Sequence, residues 1–298
     1  MRILITGAAG QLGQELAGIL ASGKAEIGQI NPMYRGAEVT CASSSELDIA
    51  DEVRVDGFFD ANHIDLCFNC AAYTNVDACE TNRDCAYQVN AIGPQNLARA
   101  CSRTGAKLVH VSTDYVFSGD EDGMRTETDP VAPISVYGKT KLEGEKFVFA
   151  LNPNSFVVRT AWLYGHAGRN FVKTMLSLAE QDKTVTVVND QYGNPTSAND
   201  LAYSLLRLAS TDDFGLYHCT NNGTCSWFDF ACAIFQMAGY DSAKVMPCSS
   251  EEYARAHPNA ARRPRFSALR NEHLESTIGD SMRSWQDALE DYLSRSSV

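Results

Sequence analysis

Residues 2–13, RILITGAAGQLG, pass from an apolar run through a glycine-punctuated turn and straight into QELAGILAS, which has the apolar spacing of a helix. A strand that leads at once into a helix cannot continue as a tight hairpin, so the next strand is expected to return parallel to the first. The alternation goes on. AEVTCAS (37–43), IDLCFNCAA (64–72), AKLVHVST (106–113) and SFVVRTAW (155–162) read as strands, several of them separated by helical segments. One such segment, 81–105, is expected to be a single helix stopped by Gly105. Strands alternating with helices argue for a parallel sheet covered on both faces, so the expected class is α/β with a doubly wound parallel sheet.

After about residue 165 the alternation loosens. Residues 170–181, 198–210, 225–239 and 281–295 read as helices, with strand-like TVTVV (184–188) and GLYHCT (215–220) between them. No repeat, low-complexity tract or linker separates the halves. The expected organisation is a first part over 1–165 and a smaller region over 166–298 that is partly interleaved with it.

Charge and composition exclude several classes. With 37 acidic against 25 basic side chains, the net charge of −12 disfavours binding to nucleic acid. No apolar run approaches the roughly 20 residues that span a bilayer, and the N-terminal apolar stretch is too short for a signal peptide. A cytoplasmic location is expected. Among ten cysteines the close pair is Cys67 and Cys70, which a strand would point to opposite faces. With the six histidines scattered and no second C-x-x-C, buried free thiols are expected and no metal site.

Two motifs carry chemistry. Gly7, Gly10 and Gly13 fall between the first strand and first helix, where small residues and a helix N-terminus suit a pyrophosphate and a Rossmann-type sheet. The spacing G-x-x-G-x-x-G differs from the commoner G-x-G-x-x-G. The second strand ends in Ser43, Ser44 and Ser45 rather than an acid, with Arg35 just upstream. Uncharged serines tolerate a 2′-phosphate, so NADPH is favoured, with NADH possible. Tyr137 and Lys141 lie one helical turn apart in YGKTKLEGE, and Thr113 ends an apolar strand that faces the same crevice. A phenol has an ordinary pKa of about 10, and a nearby ammonium with the oxidised nicotinamide is expected to lower it. Tyr137 would then be the general acid of a carbonyl reduction and Thr113 would polarise the carbonyl oxygen.

These features resemble the extended short-chain dehydrogenase/reductase superfamily. Further stretches, in order, are TGAAGQLGQEL, AAYTNVDACE, VNAIGPQNLA, STDYVFSG, YGKTKLEGE, VRTAWLYG, NFVKTML, DQYGNPTSANDLA and ARRPRFSAL. Together they resemble the dTDP-4-dehydrorhamnose reductase family, which implies reduction of a dTDP-4-keto-6-deoxy sugar by NAD(P)H. The resemblance implies that Gln11, Leu12 and Gly13 contact the cofactor phosphates, Asp48 and Ile49 its adenine end, and Ala71, Ala72 and Tyr73 its middle. It also implies that Lys141 holds the nicotinamide ribose, and that Asp114 and Trp162 face the sugar. Leu12 and Ile49 equally suit plain packing, and Asp48 a turn.

Asn90 matches a position that organises the Tyr–Lys pair in the superfamily, although backbone bonding alone is open to it. Arg262, Arg263 and Arg265 would either hold the substrate diphosphate or form a solvated surface. His110 is expected to be structural. Ser118 and Phe266 depart from the family's usual Asp and Asn. Some relatives dimerise around a metal held by acids; Glu15 matches one such position, but Asn199 stands where another acid would be. A nucleotide-sugar substrate and a monomer or homodimer are expected. Two rival readings remain: another nucleotide-sugar reductase or epimerase of the superfamily, and a cofactor-binding regulatory subunit without turnover. Retention of Thr113, Tyr137 and Lys141 together disfavours the latter.

Overall fold

The computed structural model describes residues 1–296. Strand β1 (Arg2–Thr6) leads into helix α1 (Gln11–Ser22), and a hairpin of β2 (Lys24–Ala25) and β3 (Gly28–Gln29) occupies the long connection to β4 (Glu38–Ala42). Helix α2 (Glu52–Asn62) and β5 (Leu66–Asn69) follow, then α3 (Val76–Thr81), α4 (Arg83–Tyr87) and α5 (Gly93–Thr104). Strand β6 (Lys107–Thr113), helix α6 (Val136–Leu151) and strand β7 (Ser155–Thr160) complete the alternation.

The second half begins with β8 (Leu163–Tyr164), α7 (Phe171–Glu180), β9 (Val185–Val188), β10 (Tyr192–Gly193) and β11 (Thr196–Ser197). It continues with α8 (Ala198–Ala209), β12 (Gly215–His218), β13 (Cys225–Ser226), α9 (Trp227–Met237) and β14 (Val245–Cys248). Helices α10 (Ser250–Ala256), α11 (Glu272–Thr277) and α12 (Trp285–Ser296) end it.

Six strands form one sheet in the order β12-β7-β6-β5-β1-β4, parallel at every pairing. The chain steps outward from β1 to β4, then back past β1 to β5. That reversal opens a crevice at the C-terminal ends of β1 and β5. Side-chain alternation divides the packing between the two faces. Ile3 and Ile5 of β1, with Val109 and Val158, pack against Leu12 and Leu16 of α1 and Leu201 and Leu205 of α8. Leu4 and Val157 face Phe59 of α2, Leu97 of α5 and Val148 of α6. A third core joins Val172 of α7, Phe230 and Ile234 of α9, and Trp285 and Leu289 of α12. The edge strand β12 and the covering helix α8 both come from the second half of the chain.

The single helix expected over 81–105 is broken twice. Asn82 leaves helical geometry at φ −111° and ψ 53°, and Gln88–Ile92 widens into a π-helical turn. Pro94 accounts for the second break, because it has no N–H to donate to the carbonyl of Asn90 four residues back. That carbonyl faces Gly144 of α6, where an added Cβ would approach it to 2.3 Å. Gly105 does stop α5, in the left-handed conformation at φ 77°.

The ten cysteines are free thiols, and no group of acidic, histidine or cysteine side chains suited to a metal occurs among the described residues. No described helix is long and apolar enough to cross a membrane.

Candidate active site

A cleft of ≈ 710 Å³ lies over the C-terminal ends of β1, β5, β6 and β7. Its floor at one end is the glycine loop. Gly7 takes the left-handed φ of 65°, and its carbonyl accepts the N–H of Gly10 at 2.9 Å. A Cβ on Gly7 would stand 2.6 Å from the backbone nitrogen of Ala71, so both the turn and the close approach of the neighbouring loop require glycine. Gly10 then starts α1 with no side-chain cap. Its first N–H groups are left for an anion, and this cradle fits a dinucleotide pyrophosphate.

Of the sequence-predicted cofactor residues, Gly7, Gly10, Gln11, Leu12, Gly13, Asp48, Ile49, Ala71 and Ala72 all line the cleft. Leu12 and Ile49 are also buried core residues. Tyr73 does not line it, and Thr74 does. Tyr73 instead donates its N–H to Asn90 Oδ1 at 2.8 Å and accepts from Asn90 Nδ2 at 3.1 Å. Asn90 Nδ2 also donates to Thr140 Oγ1 of α6 at 3.2 Å. Asn90 thereby ties the cofactor-side turn to the helix that carries Tyr137.

Beneath that turn, Asn69 Oδ1 accepts from Thr6 Oγ1 at 2.8 Å and from the N–H of Ala71 at 3.2 Å. His110 lies 2.9 Å from the Asn69 amide, and burial drives its pKa far below the ordinary range. A neutral ring that accepts from Asn69 is a structural role, as expected.

At the other end Thr113, Asp114, Tyr137, Lys141 and Trp162 line the same cleft. The Thr113 hydroxyl donates to Asp114 Oδ1 at 3.0 Å and accepts the N–H of Tyr115 at 3.2 Å. Ser267 Oγ donates to the other Asp114 oxygen at 2.5 Å. Burial nevertheless pushes the Asp114 carboxyl up to about 6, against those hydrogen bonds. Lys141 is buried, with its ammonium on the carbonyl of Val111 at 2.6 Å. Burial lowers its pKa to about 8, and Glu145 pulls the other way.

The expected depression of Tyr137 is not found in this structure. Burial raises the phenol above its ordinary value, while Lys141 is engaged by a backbone carbonyl. The residue therefore holds its proton.

Trp162 stacks on Trp227 with ring centroids 3.6 Å apart and planes 11° off parallel. Its backbone is left-handed at φ 46°, which is uncommon for a bulky side chain. Gly193 makes room for the indole, since an added Cβ would lie 2.5 Å from it.

The arginines of ARRPRFSAL are not in the cleft lining. Arg263 pairs with Asp77 at 3.1 Å, Arg265 with Asp122, and exposed Arg262 stands 4.0 Å from Asp120. Ser118 and Phe266 also lie outside the lining, with Phe266 stacked on Tyr192. Glu15 accepts from Asn199 Nδ2 at 2.8 Å.

Sequence reasoning missed Thr160, Arg169 and Asn170, all of which line the cleft. Asn170 caps α7 through Lys173 N–H at 2.9 Å and reaches back to Gln11 Oε1 at 3.0 Å. An Asn before the apolar period of NFVKTML signals that cap, but not its reach to the glycine loop. Thr160 pairs with Thr113 in strand register, and its buried hydroxyl has no hydrogen-bond partner among the described residues.

A family model described as the RmlD substrate binding domain matches residues 1–298. A dTDP-4-dehydrorhamnose reductase of Mycobacterium tuberculosis is 42% identical over 294 residues, 97% of this chain and 91% of that protein. The crystal structure of a dTDP-4-dehydrorhamnose reductase from Clostridium acetobutylicum is similar with a TM-score of 0.92 at 46% identity, over 100% of both chains. Another from Bacillus anthracis, in complex with NADP, gives a TM-score of 0.90 at 40% identity over 99% of each. With a match along its whole length and relatives above 40% identity, the chain belongs to the RmlD substrate-binding-domain family, among the dTDP-4-dehydrorhamnose reductases.

Proposed function

We infer that this protein reduces the 4-keto group of dTDP-4-dehydro-L-rhamnose to dTDP-L-rhamnose, with NADPH as the hydride source. The observation that carries the reading is the meeting of Thr113, Tyr137 and Lys141 in one cleft with the glycine loop. Bound cofactor supplies a hydride to C4 of the sugar. Everything else falls to the chain. Tyr137, protonated, gives its proton to O4 as the C=O bond becomes C–O–H. Its raised pKa does not block this, because an alkoxide is far more basic than a phenolate and takes the proton downhill. Thr113 turns its hydroxyl from Asp114 to the carbonyl oxygen, and Asp114 holds the sugar side. Lys141 binds the nicotinamide ribose and adds positive charge beside the developing oxyanion.

Gly7, Gly10, Gln11, Leu12 and Gly13 serve the phosphates, Asp48 and Ile49 the adenine end, and Ala71 and Ala72 the middle of the cofactor. Tyr73 acts from behind through Asn90. Trp162, held by Trp227, forms the wall against the hexose. On this reading residues 1–165 bind the dinucleotide and carry the reaction, and residues 166–298 mainly shape the sugar site. The protein works in the cytoplasm as a monomer or homodimer.

The test is a coupled assay. The keto sugar is generated in situ, NADPH or NADH is added, and loss of reduced-cofactor absorbance is followed with identification of the product. Enzyme-dependent oxidation yielding dTDP-L-rhamnose is expected. Cofactor binding without turnover would sink the reading in favour of another keto sugar or a regulatory subunit.

A further inference from the structure

The face of α6 that presents Tyr137 and Lys141 continues one turn further to Glu145, at the same spacing of four. Glu145 is buried, and its carboxylate is fully engaged. Arg159 of β7 grips it with two parallel bonds, Nε to Oε1 at 2.9 Å and Nη2 to Oε2 at 2.7 Å. Ser112 Oγ, from the cleft floor beside Thr113, donates to Oε1 at 2.5 Å. The guanidinium also lies over the Phe117 ring at 5.3 Å, and its Nη1 has no hydrogen-bond partner among the described residues. A buried ion pair costs so much desolvation that well-packed apolar side chains of the same volume would serve stability as well or better. Its position argues for a different use. It joins three elements, α6, β6 and β7, directly under the residues that meet the ligand.

We propose that Glu145 and Arg159 are positioning residues for the reduction. The pair, tied through Ser112 to the cleft floor, fixes how α6 seats on the sheet and keeps a negative charge one turn from the Lys141 ammonium. The proposal rests on the reading of Tyr137 and Lys141 given above. The groups that face the Lys141 charge are Glu145 on its own helix, Cys70 from the turn after β5, and His110 from β6. Burial disfavours the ammonium and Glu145 favours it, while burial keeps the Cys70 thiol protonated and uncharged. Since His110 is neutral, Glu145 supplies the permanent opposing charge. Loss of that charge lets the ammonium deprotonate at lower pH, and with it goes the grip on the ribose.

The measurement is the pH profile of kcat/KM for the keto sugar at saturating NADPH, together with NADPH binding by fluorescence titration at pH 6.5. Four proteins are compared: wild type, Glu145→Gln, Glu145→Asp and the double variant Glu145→Gln/Arg159→Met. The double variant removes both buried charges and leaves neither unpaired, so it separates loss of charge from loss of fold. The alkaline limb is expected to move down by about one pH unit in Glu145→Gln and by less in the double variant, which also removes the Arg159 charge. kcat near pH 8 should fall about fivefold in Glu145→Gln, with NADPH affinity at pH 6.5 within about twofold of wild type. Glu145→Asp should keep the limb within about half a unit of its wild-type place. A folded Glu145→Gln variant with the limb unmoved would overturn the positioning role. Absence of turnover in the wild type would instead bring down the reaction assignment itself.

Discussion

Asp114 sits in the cleft wall with one oxygen on Thr113 and the other on Ser267. Burial raises its carboxyl to about 6, above the unfolded value of 3.8. The folded chain therefore holds this proton more tightly than the unfolded one. The stability linked to it is fully present below about 4 and is lost as pH rises through about 6. Asp114→Asn removes the dependence. Urea midpoints measured from pH 4 to pH 7 should show wild type losing up to about 3 kcal/mol relative to the variant. Parallel curves across that range would refute the assignment. At the same scale, Tyr137→Phe should lower kcat by about 10²–10⁴ while NADPH binding, read by fluorescence, stays near wild type. Retained turnover would remove Tyr137 as proton donor. These residues were legible in the sequence because Tyr137 and Lys141 are one turn apart and Thr113 ends a strand. Thr160 was not, because only the pairing of β6 with β7 brings it beside Thr113. The rise of the Tyr137 phenol was not legible for a related reason: spacing shows a neighbouring charge, but not the burial that acts against it.

The helix α6 is the element on which the site depends, and glycines set its height. A Cβ on Gly138 would fall 2.1 Å from the carbonyl oxygen of Tyr115, and one on Gly144 would fall 2.3 Å from that of Asn90. Backbone obstructs both, so neither clash is relieved by a side-chain rotation. Gly144→Ala should cost at least about 2 kcal/mol despite the better helix propensity of alanine. Its kcat should fall more than its NADPH affinity, because α6 would be pushed off the cleft floor. Urea unfolding and steady-state kinetics check the two parts, and an alanine variant as stable as wild type would refute the close approach. The stretch YGKTKLEGE does read as helix in the sequence, and it lies within α6. The π-helical turn opposite it was not, since Pro94 announces a disturbance without saying whether the chain kinks, stops or widens.

Across the whole molecule, the sequence pattern marked the strand–helix alternation of the first half and most second-half helices. Which face each second-half element would cover was not legible, because that is decided by contacts between distant residues. A fragment ending at residue 165 would lack β12 at the sheet edge and α8 over Ile3, Ile5 and Leu16. Such a fragment is expected to show no cooperative thermal transition and no NADPH binding, whereas the full chain does both. A sharp melt from the fragment would contradict the shared core. Cofactor should also raise the melting temperature of the full chain, with about 2.7 kcal/mol of stabilisation at a hundredfold excess over Kd.

The position of β12 bears on how such a protein can be recombined with its relatives. A crossover after β7 would exchange the residues proposed to shape the sugar site and, with them, one edge of the sheet and the cover of α1. A donor that differs in α8 would then meet a foreign partner across Leu12, Leu16, Leu201 and Leu205. Chimaeras built to change sugar preference should keep residues 198–219 from the recipient and graft the flanking stretches as two inserts. The exchangeable unit is discontinuous, and a library cut at a single junction would sample mostly broken proteins.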